Sequence, residues 1–473
     1  MIANAEDLVA NRTSPALQAL RRDALEILAS ALRAVDSERL VTSHLRLEGE
    51  TLEADSLRWD LDEIESLRLL AVGKASLPMA RAVLSIVEPK ETLIITAVEE
   101  LPEATSVSVI QASHPVPGEG SLQAGREALA MAERSGPRDL FILLLSGGGS
   151  AMLEHSDLPL HALEETTRIL LRGGMDTGSM NVVRKHLSLV KGGWLGKAAV
   201  RRGGAGLALA LSDVVGDAPT DIASGPSVPD PSTFREARQV LEDRDLWDIV
   251  PDTVRVKLQA GLDGEVDETP KPGDAEMDRF PLRIVGGIRD ACKEAIAEGD
   301  RRGYRTHSYG SQVEGETRAV AKDLLATGVS VQETGSPIAA PGLIVVGGET
   351  TFQVRGSGLG GRNLELVLAT VRGLRDRPIV LLSCDTDGRD GETDVAGAVA
   401  DGETLGRAHA AGWQPEVFQA ESDSYSFFSH LGDVIRTGPT KTNVMDLQLV
   451  LIGLPSDEGR GQTPDKLFVG DPP

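Results

Sequence analysis

Leu140-Phe-Ile-Leu-Leu-Leu-Ser-Gly-Gly-Gly-Ser-Ala-Met152 decides the fold. A short unbroken apolar run that stops at turn residues reads as a strand buried on both faces, the mark of a parallel sheet covered by helices. Gly147, Gly148 and Gly149 lack Cβ atoms, so the chain can turn sharply there and a ligand can approach the backbone. Their N–H groups, with the hydroxyls of Ser146 and Ser150, suit an anion, and ligands of open α/β sheets collect at the carboxyl ends of strands. A ligand-free strand-to-helix turn would look much the same.

The same pattern repeats outward from this stretch. Leu67–Val72 is a second apolar strand, ending at Gly73-Lys74; Thr92–Val98, Val107–Ala112 and Gly206–Leu211 are further strands. Helical spacing at Ser14–Val35, Leu77–Val87, Leu122–Glu133 and Leu160–Leu171 separates them, and Asn181–Val200 reads as helices hinged at Gly192-Gly193. Thr51–Glu65 is polar and reads as a short decoration. Strands alternating with helices imply βαβ units and parallel pairing. The second half alternates as well: strands at Leu282–Val285, Tyr304–Tyr309, Leu343–Val346, Ile379–Ser383 and Leu447–Ile452, with helices at Arg289–Arg301, Glu314–Leu325, Asn363–Leu374, Glu403–Ala411 and Asp423–Leu431.

At 473 residues the chain exceeds one compact core. The acidic, Pro- and Gly-rich stretch Gly261–Arg279 marks the boundary. The expected architecture is two α/β/α domains with largely parallel sheets: a Rossmann-like domain over residues 1–270 and a smaller one over 280–473, with a cleft between them.

Composition narrows the partners. The formal net charge is −24 and aromatics are 3%, which disfavours nucleic acid, anionic membrane and base-stacking surfaces. A small anionic substrate then needs a local cationic pocket. Two cysteines, Cys292 and Cys384, form neither a zinc motif nor a disulfide framework. The first residues carry Glu6 and Asp7 and no apolar signal core, and no apolar run has membrane-span length, so a cytoplasmic protein is expected.

Three further stretches carry chemistry. Lys74, beside a glycine at a strand end, can neutralise a phosphate or carboxylate, or can simply be a surface lysine. Asp385-Thr-Asp-Gly-Arg-Asp-Gly-Glu-Thr-Asp394 offers several carboxylates after a strand, as Mg²⁺ bound with substrate phosphates requires. Gly356-Ser-Gly-Leu-Gly-Gly-Arg-Asn363 contains Gly-x-Gly-x-x-Gly, the dinucleotide-binding pattern. Two features weaken that pattern: Thr350–Arg355 alternates polar and apolar residues, and Arg362 at the helix start can bond a phosphate bidentately. His114 and His186 lie in candidate loops. There is no Gly-x-x-x-x-Gly-Lys-Ser/Thr motif.

Seven segments together resemble the glycerate 2-kinase family: Ser146-Gly-Gly-Gly-Ser-Ala; Asn181-Val-Val-Arg-Lys-His through Lys191-Gly-Gly; Ser212-Asp-Val-Val-Gly-Asp through Ile222-Ala-Ser-Gly-Pro; Gly347-Gly-Glu-Thr-Thr; Gly360-Gly-Arg-Asn-Leu-Glu; Asp385-Thr-Asp-Gly-Arg-Asp-Gly; and Gly438-Pro-Thr-Lys-Thr-Asn-Val. The resemblance runs in order from about Ser14 to about Gly453. It implies an N-terminal α/β domain joined to a C-terminal MOFRL domain, and ATP-dependent phosphorylation of D-glycerate at its 2-hydroxyl with Mg²⁺ or another divalent metal. It implies Lys74 and Arg362 as the catalytic pair. Ser146, Gly147, Gly148, Gly149, Ser150, Lys191 and Asn363 are the candidate phosphate or substrate contacts, and Asp213 or Asp387 would orient the metal or accept the hydroxyl proton. A homodimer is compatible with this reading. The chain departs from the family at Glu392, Leu364 and Lys441, where Pro, Gln and Gly are common. Two rivals stand beside it: an NAD(P)H-dependent hydroxypyruvate reductase, since family members have often carried that label, and a sugar-acid-binding protein without turnover.

Overall fold

A computed structural model describes residues 2–97 and 107–454. Fifteen strands make three sheets among these residues. The segment around Thr51–Glu65, read as polar decoration, carries a small antiparallel sheet of β1 (Leu45–Glu48), β2 (Thr51–Ala54) and β3 (Leu57–Asp60). Its signal is the alternation in Thr51-Leu-Glu-Ala54, which buries Leu52 and Ala54.

The apolar runs of the first half build one six-stranded sheet: β4 (Ser66–Val72), β5 (Glu91–Thr96), β6 (Ser108–Gln111), β7 (Asp139–Leu145), β8 (Ala205–Leu211) and β9 (Leu282–Gly286). Every pairing is parallel, and the order is β6-β5-β4-β7-β8-β9. All seven residues of β4 and of β7 are buried, as expected of central strands with helices on both faces. Chain progression reverses between β4 and β7, the topological switch point where such sheets bind ligands. The expected end of β5, Val98, lies outside the described residues.

The second sheet contains β10 (Arg305–Val313), β11 (Gly342–Gly348), β12 (Ile379–Asp385), β13 (Gly397–Asp401), β14 (Val434–Ile435) and β15 (Asp446–Ile452), in the order β10-β11-β15-β12-β13-β14. Only β10 and β11 pair in parallel; β15 is inserted antiparallel between β11 and β12, and β13 and β14 continue antiparallel. The expectation of largely parallel sheets therefore holds for the first sheet and is corrected for the second. Strand β13 follows β12 through a loop with no helix and must return in the opposite sense. Strand β15 arrives from the tail, free of any crossover.

Strand β9 follows the stretch Gly261–Arg279 yet completes the first sheet. The cut between residues 270 and 280 thus falls one strand before the first sheet ends. The N-terminal helix Pro15–Ala34 goes the other way and packs on the helix Ile288–Arg301, β12 and β15. Its fully buried Arg21 donates to Asp401 (2.6 Å) and Asp433 (3.0 Å), carboxylates of the second lobe. One continuous apolar core joins Ile142 and Leu207 of the first sheet to Val345 and Leu449 of the second. The two sheets are thereby held with the residues after β4 and after β12 toward each other.

Candidate active site

The carboxyl ends of β4, β7 and β8 meet those of β11 and β12 and the start of β15 around a cavity of about 250 Å³. Lys74, His114, Gly148 and Asp213 line it from the first sheet; Glu349, Arg362, Asp385, Asp387, Arg389 and Asn443 line it from the second.

Lys74 is placed by a tight turn. Gly73 has φ +116°, and a Cβ there would sit 2.4 Å from both the carbonyl and the hydroxyl oxygen of Ser146. The Lys74 N–H donates to the Gly147 carbonyl (2.9 Å), which ties the turn to the glycine loop. Its ammonium donates across the cleft to Asp387 (2.6 Å). Burial opposes the charge on Lys74, but Asp387, with Asp385 and Asp213 behind it, raises the pKa above its ordinary value.

The glycine loop is built for close approach. Among the described residues the N–H groups of Gly147 and Gly148 donate no hydrogen bond, which leaves them for an anion. A Cβ on Gly147 would lie 2.0 Å from the Asn443 side-chain nitrogen and 2.4 Å from Asp213, so the second lobe closes directly onto this backbone. The serines differ from expectation. Ser146 is fully buried; its hydroxyl accepts from the Ala75 N–H (3.0 Å) and donates to the Val72 carbonyl (3.2 Å), holding the Lys74 turn instead of a ligand. Ser150 and Ser224 share a hydroxyl–hydroxyl bond of 2.8 Å.

Arg362 opens the helix Arg362–Leu374 after Gly361. It forks onto Asp446 through Nε (2.5 Å) and Nη2 (3.0 Å), and also bonds Glu349 and Asp385. Burial works against its charge, but these three carboxylates raise its pKa further, so it is a permanent cation. The carboxylates crowd one another. Burial and the neighbouring Glu349 push Asp213 up to about 6. Burial also raises Glu349, and burial with Asp387 and Asp446 raises Asp385 well above the usual range.

Several expected contacts lie elsewhere. Lys191 is fully buried and paired with Glu154 inside the first lobe, because a lysine removed from water needs a counter-charge; it does not reach the cavity. Asn363 is buried beside the cleft, where it donates to Asp446 (2.8 Å) and accepts from Ser383 (2.5 Å); it braces the acidic loop. His186 bonds the Val182 carbonyl and Glu268, away from the cavity. The Gly-x-Gly-x-x-Gly segment follows no strand, and Thr351 makes only an isolated bridge to Glu316. Its glycines are filled by protein: Gly356 and Gly358 lie against Glu421–Asp423, and Gly361 against Asp390. Lys441, where the family commonly has Gly, has φ +66°, the left-handed region that glycine favours.

Glu349, Asn443 and Asp446 were not singled out in the sequence, although each falls in or next to a quoted motif. Their signal was position alone; only the pairing of β15 with β11 and β12 brings Asp446 beside Asp385. Among the described residues no three His, Cys, Asp or Glu side chains form a ready metal cage.

Two family models match the chain: the domain of unknown function DUF4147 over residues 23–259 and the MOFRL family over residues 342–446. A glycerate 2-kinase of Pyrococcus horikoshii is 34% identical over 436 residues, covering 92% of this chain and 97% of that protein. An Agrobacterium vitis protein, provisionally named a hydroxypyruvate reductase, is 35% identical over 392 residues, 81% of this chain and 87% of its own. The crystal structure of a glycerate kinase from Thermotoga maritima superposes with TM-score 0.77 at 30% identity, covering 92% of this chain and all of that one.

Proposed function

We propose, since the chain belongs to the glycerate 2-kinase family and joins a DUF4147 domain to a MOFRL domain, that it transfers the γ-phosphoryl group of ATP to the 2-hydroxyl of D-glycerate, giving 2-phosphoglycerate and ADP in the cytoplasm. The observation that carries this reading is the convergence of Lys74 and Arg362, from two different sheets, on one cavity at the topological switch point. The lobes divide after β9, and the cleft between them is the place of reaction.

Phosphoryl transfer needs positioning and charge neutralisation more than covalent chemistry. Lys74 and Arg362 face the transferred group from opposite walls, and the free N–H groups of Gly147 and Gly148 hold phosphate oxygens. The acceptor oxygen bonds to the γ-phosphorus as the bond to the ADP oxygen breaks. Asp213 or Asp387 takes the hydroxyl proton.

The all-oxygen donor set fits Mg²⁺, which needs one or two carboxylates plus nucleotide phosphates and no complete protein cage. Whichever of Asp213 and Asp387 does not take the proton would hold it, and when bound it neutralises phosphate charge. Lys74 must exchange Asp387 for phosphate, so nucleotide entry parts that pair.

The test is ADP release from ATP and D-glycerate, followed by identification of the 2- or 3-phosphoglycerate formed. NADH oxidation with hydroxypyruvate and no ADP release supports the reductase instead; the filling of Gly356, Gly358 and Gly361 by protein argues against that outcome. Glycerate binding without turnover supports a binding protein.

A further inference from the structure

Three cations lie close together on the helix Thr177–Leu187 and just after it: Arg184, Lys185 and Lys191. Lys185 pairs with Asp230 (3.3 Å) and Asp221 (3.7 Å), and Lys191 pairs with Glu154. Arg184 alone has no hydrogen-bond or ion-pair partner among the described residues. The chain has 72 acidic side chains for 48 basic ones, so pairing is the default for an arginine drawn into the protein. Glu154, the carboxylate whose charge favours that of Arg184, is already taken by Lys191 and by the Ser188 hydroxyl (2.6 Å).

Arg184 is not one of the residues that line the cavity, but its surroundings lead there. One turn earlier on the same face, Asn181 accepts from Ser224 (2.9 Å), which in turn bonds Ser150 of the glycine loop. Arg184 also lies near enough to His114 to help hold that imidazole neutral. His114 in turn stands against Gly148 and Lys74 on the cavity wall: a Cβ on Gly148 would sit 3.1 Å from the His114 ring and 3.5 Å from Lys74. The segment behind Ser224 is strained, with Ala223 at φ +50° and Ser224 at φ +60°, both non-glycine residues in the left-handed region.

We infer that Arg184 holds the carboxylate of the hydroxy-acid substrate on the first-sheet side of the cleft, behind His114 and Ser150, while Lys74 faces the phosphoryl group. The inference rests on the glycerate-kinase reading and extends it to substrate choice. A guanidinium offers a planar fork that matches the two oxygens of a carboxylate, whereas Lys74 is a point charge suited to a phosphoryl oxygen. In a hydroxy acid the carboxylate is next to the carbon that bears the reacting hydroxyl, so its anchor must stand beside Lys74 without being Lys74.

The experiment is steady-state kinetics of the full chain and of Arg184→Gln and Arg184→Lys, varying D-glycerate and ATP separately, with thermal melts as fold control. In Arg184→Gln the KM for glycerate is expected to rise about 10- to 100-fold, the loss of one charge-assisted contact, while kcat and the KM for ATP stay within about 3-fold. The Lys variant keeps the charge and loses the fork, so its glycerate KM rises about 3- to 10-fold; it carries the test if the Gln variant does not fold. The wild-type preference for D-glycerate over its neutral amide narrows in both. An unchanged glycerate KM, or a rise in the ATP KM as large as that for glycerate, overturns the assignment while leaving the kinase reading in place. Absence of ADP release by the wild-type protein overturns both.

Discussion

The Lys74 ammonium lies 2.6 Å from the Asp387 carboxylate, so a residue after β4 of the first sheet touches a residue after β12 of the second. The site exists only because these two strand ends face each other. Replacing Lys74 with Ala removes a cation aimed at developing charge, and kcat with ATP and glycerate should fall by roughly 10²–10³-fold. A variant that keeps near-normal turnover would exclude Lys74 from the chemistry.

Arg362 holds Asp446, Glu349 and Asp385 together. Arg362→Lys should lose turnover although charge is kept, because lysine cannot reproduce the fork onto Asp446. Arg362→Ala should in addition lower unfolding stability by roughly 1–3 kcal/mol, since the carboxylates lose their shared donor. Urea denaturation beside single-turnover rates separates the two effects.

Gly147→Ala should impair closure while leaving each lobe folded. Its Cβ would enter the space of the Asn443 amide and the Asp213 carboxylate. The expected result is a large loss of turnover with a small change in melting temperature. Asn443→Ala should restore part of the activity in the double variant, because it removes the nearer of the two clashes.

Lys191 and Glu154 form an internal ion pair, with side-chain exposures of 0% and 7%. Lys191→Met should therefore cost roughly 3–5 kcal/mol of stability by stranding Glu154. The folded fraction should keep an ordinary KM for ATP and glycerate. A selective rise in either KM with unchanged stability would return Lys191 to the binding site.

His114 is open to solvent within the cleft although protein surrounds it closely. Burial, then Lys74 and Arg184, lowers its pKa to about 4 from an ordinary value of 6.5. The stability present above pH 6.5 should be lost as the pH falls through about 4, because unfolding frees the imidazole to take a proton. His114→Gln should lose less melting temperature between pH 7 and pH 4.5 than the wild type. An equal loss in both would show that His114 is not the titrating group.

The two charged ends of the site were readable at very different depths. Lys74 stands out locally, since an apolar strand delivers it and a glycine follows from the need to clear Ser146. Arg362 was visible as a helix-start cation, but its carboxylate partners were not. Asp446 lies 84 residues further along the chain, on a strand whose antiparallel insertion no local pattern announces. Lys191 shows the opposite case. It sits in a matching motif, yet the fold encloses it with Glu154 and leaves Arg184, in the same motif, without a partner among the described residues.

The sequence by itself determined the strands and helices around the site, the all-parallel first sheet and the membership of a two-part family. Unbroken apolar runs and their spacing with helices are local properties, and motif order survives without coordinates. Tertiary structure alone decided that β9 stays with the first sheet, that the second sheet is mostly antiparallel and that Lys74 and Arg362 share one cavity. It also decided which cations are consumed by internal pairs. Pairing of strands and charges depends on residues far apart in the chain, and a buried charge is free for a ligand only when the packed structure leaves it no other partner.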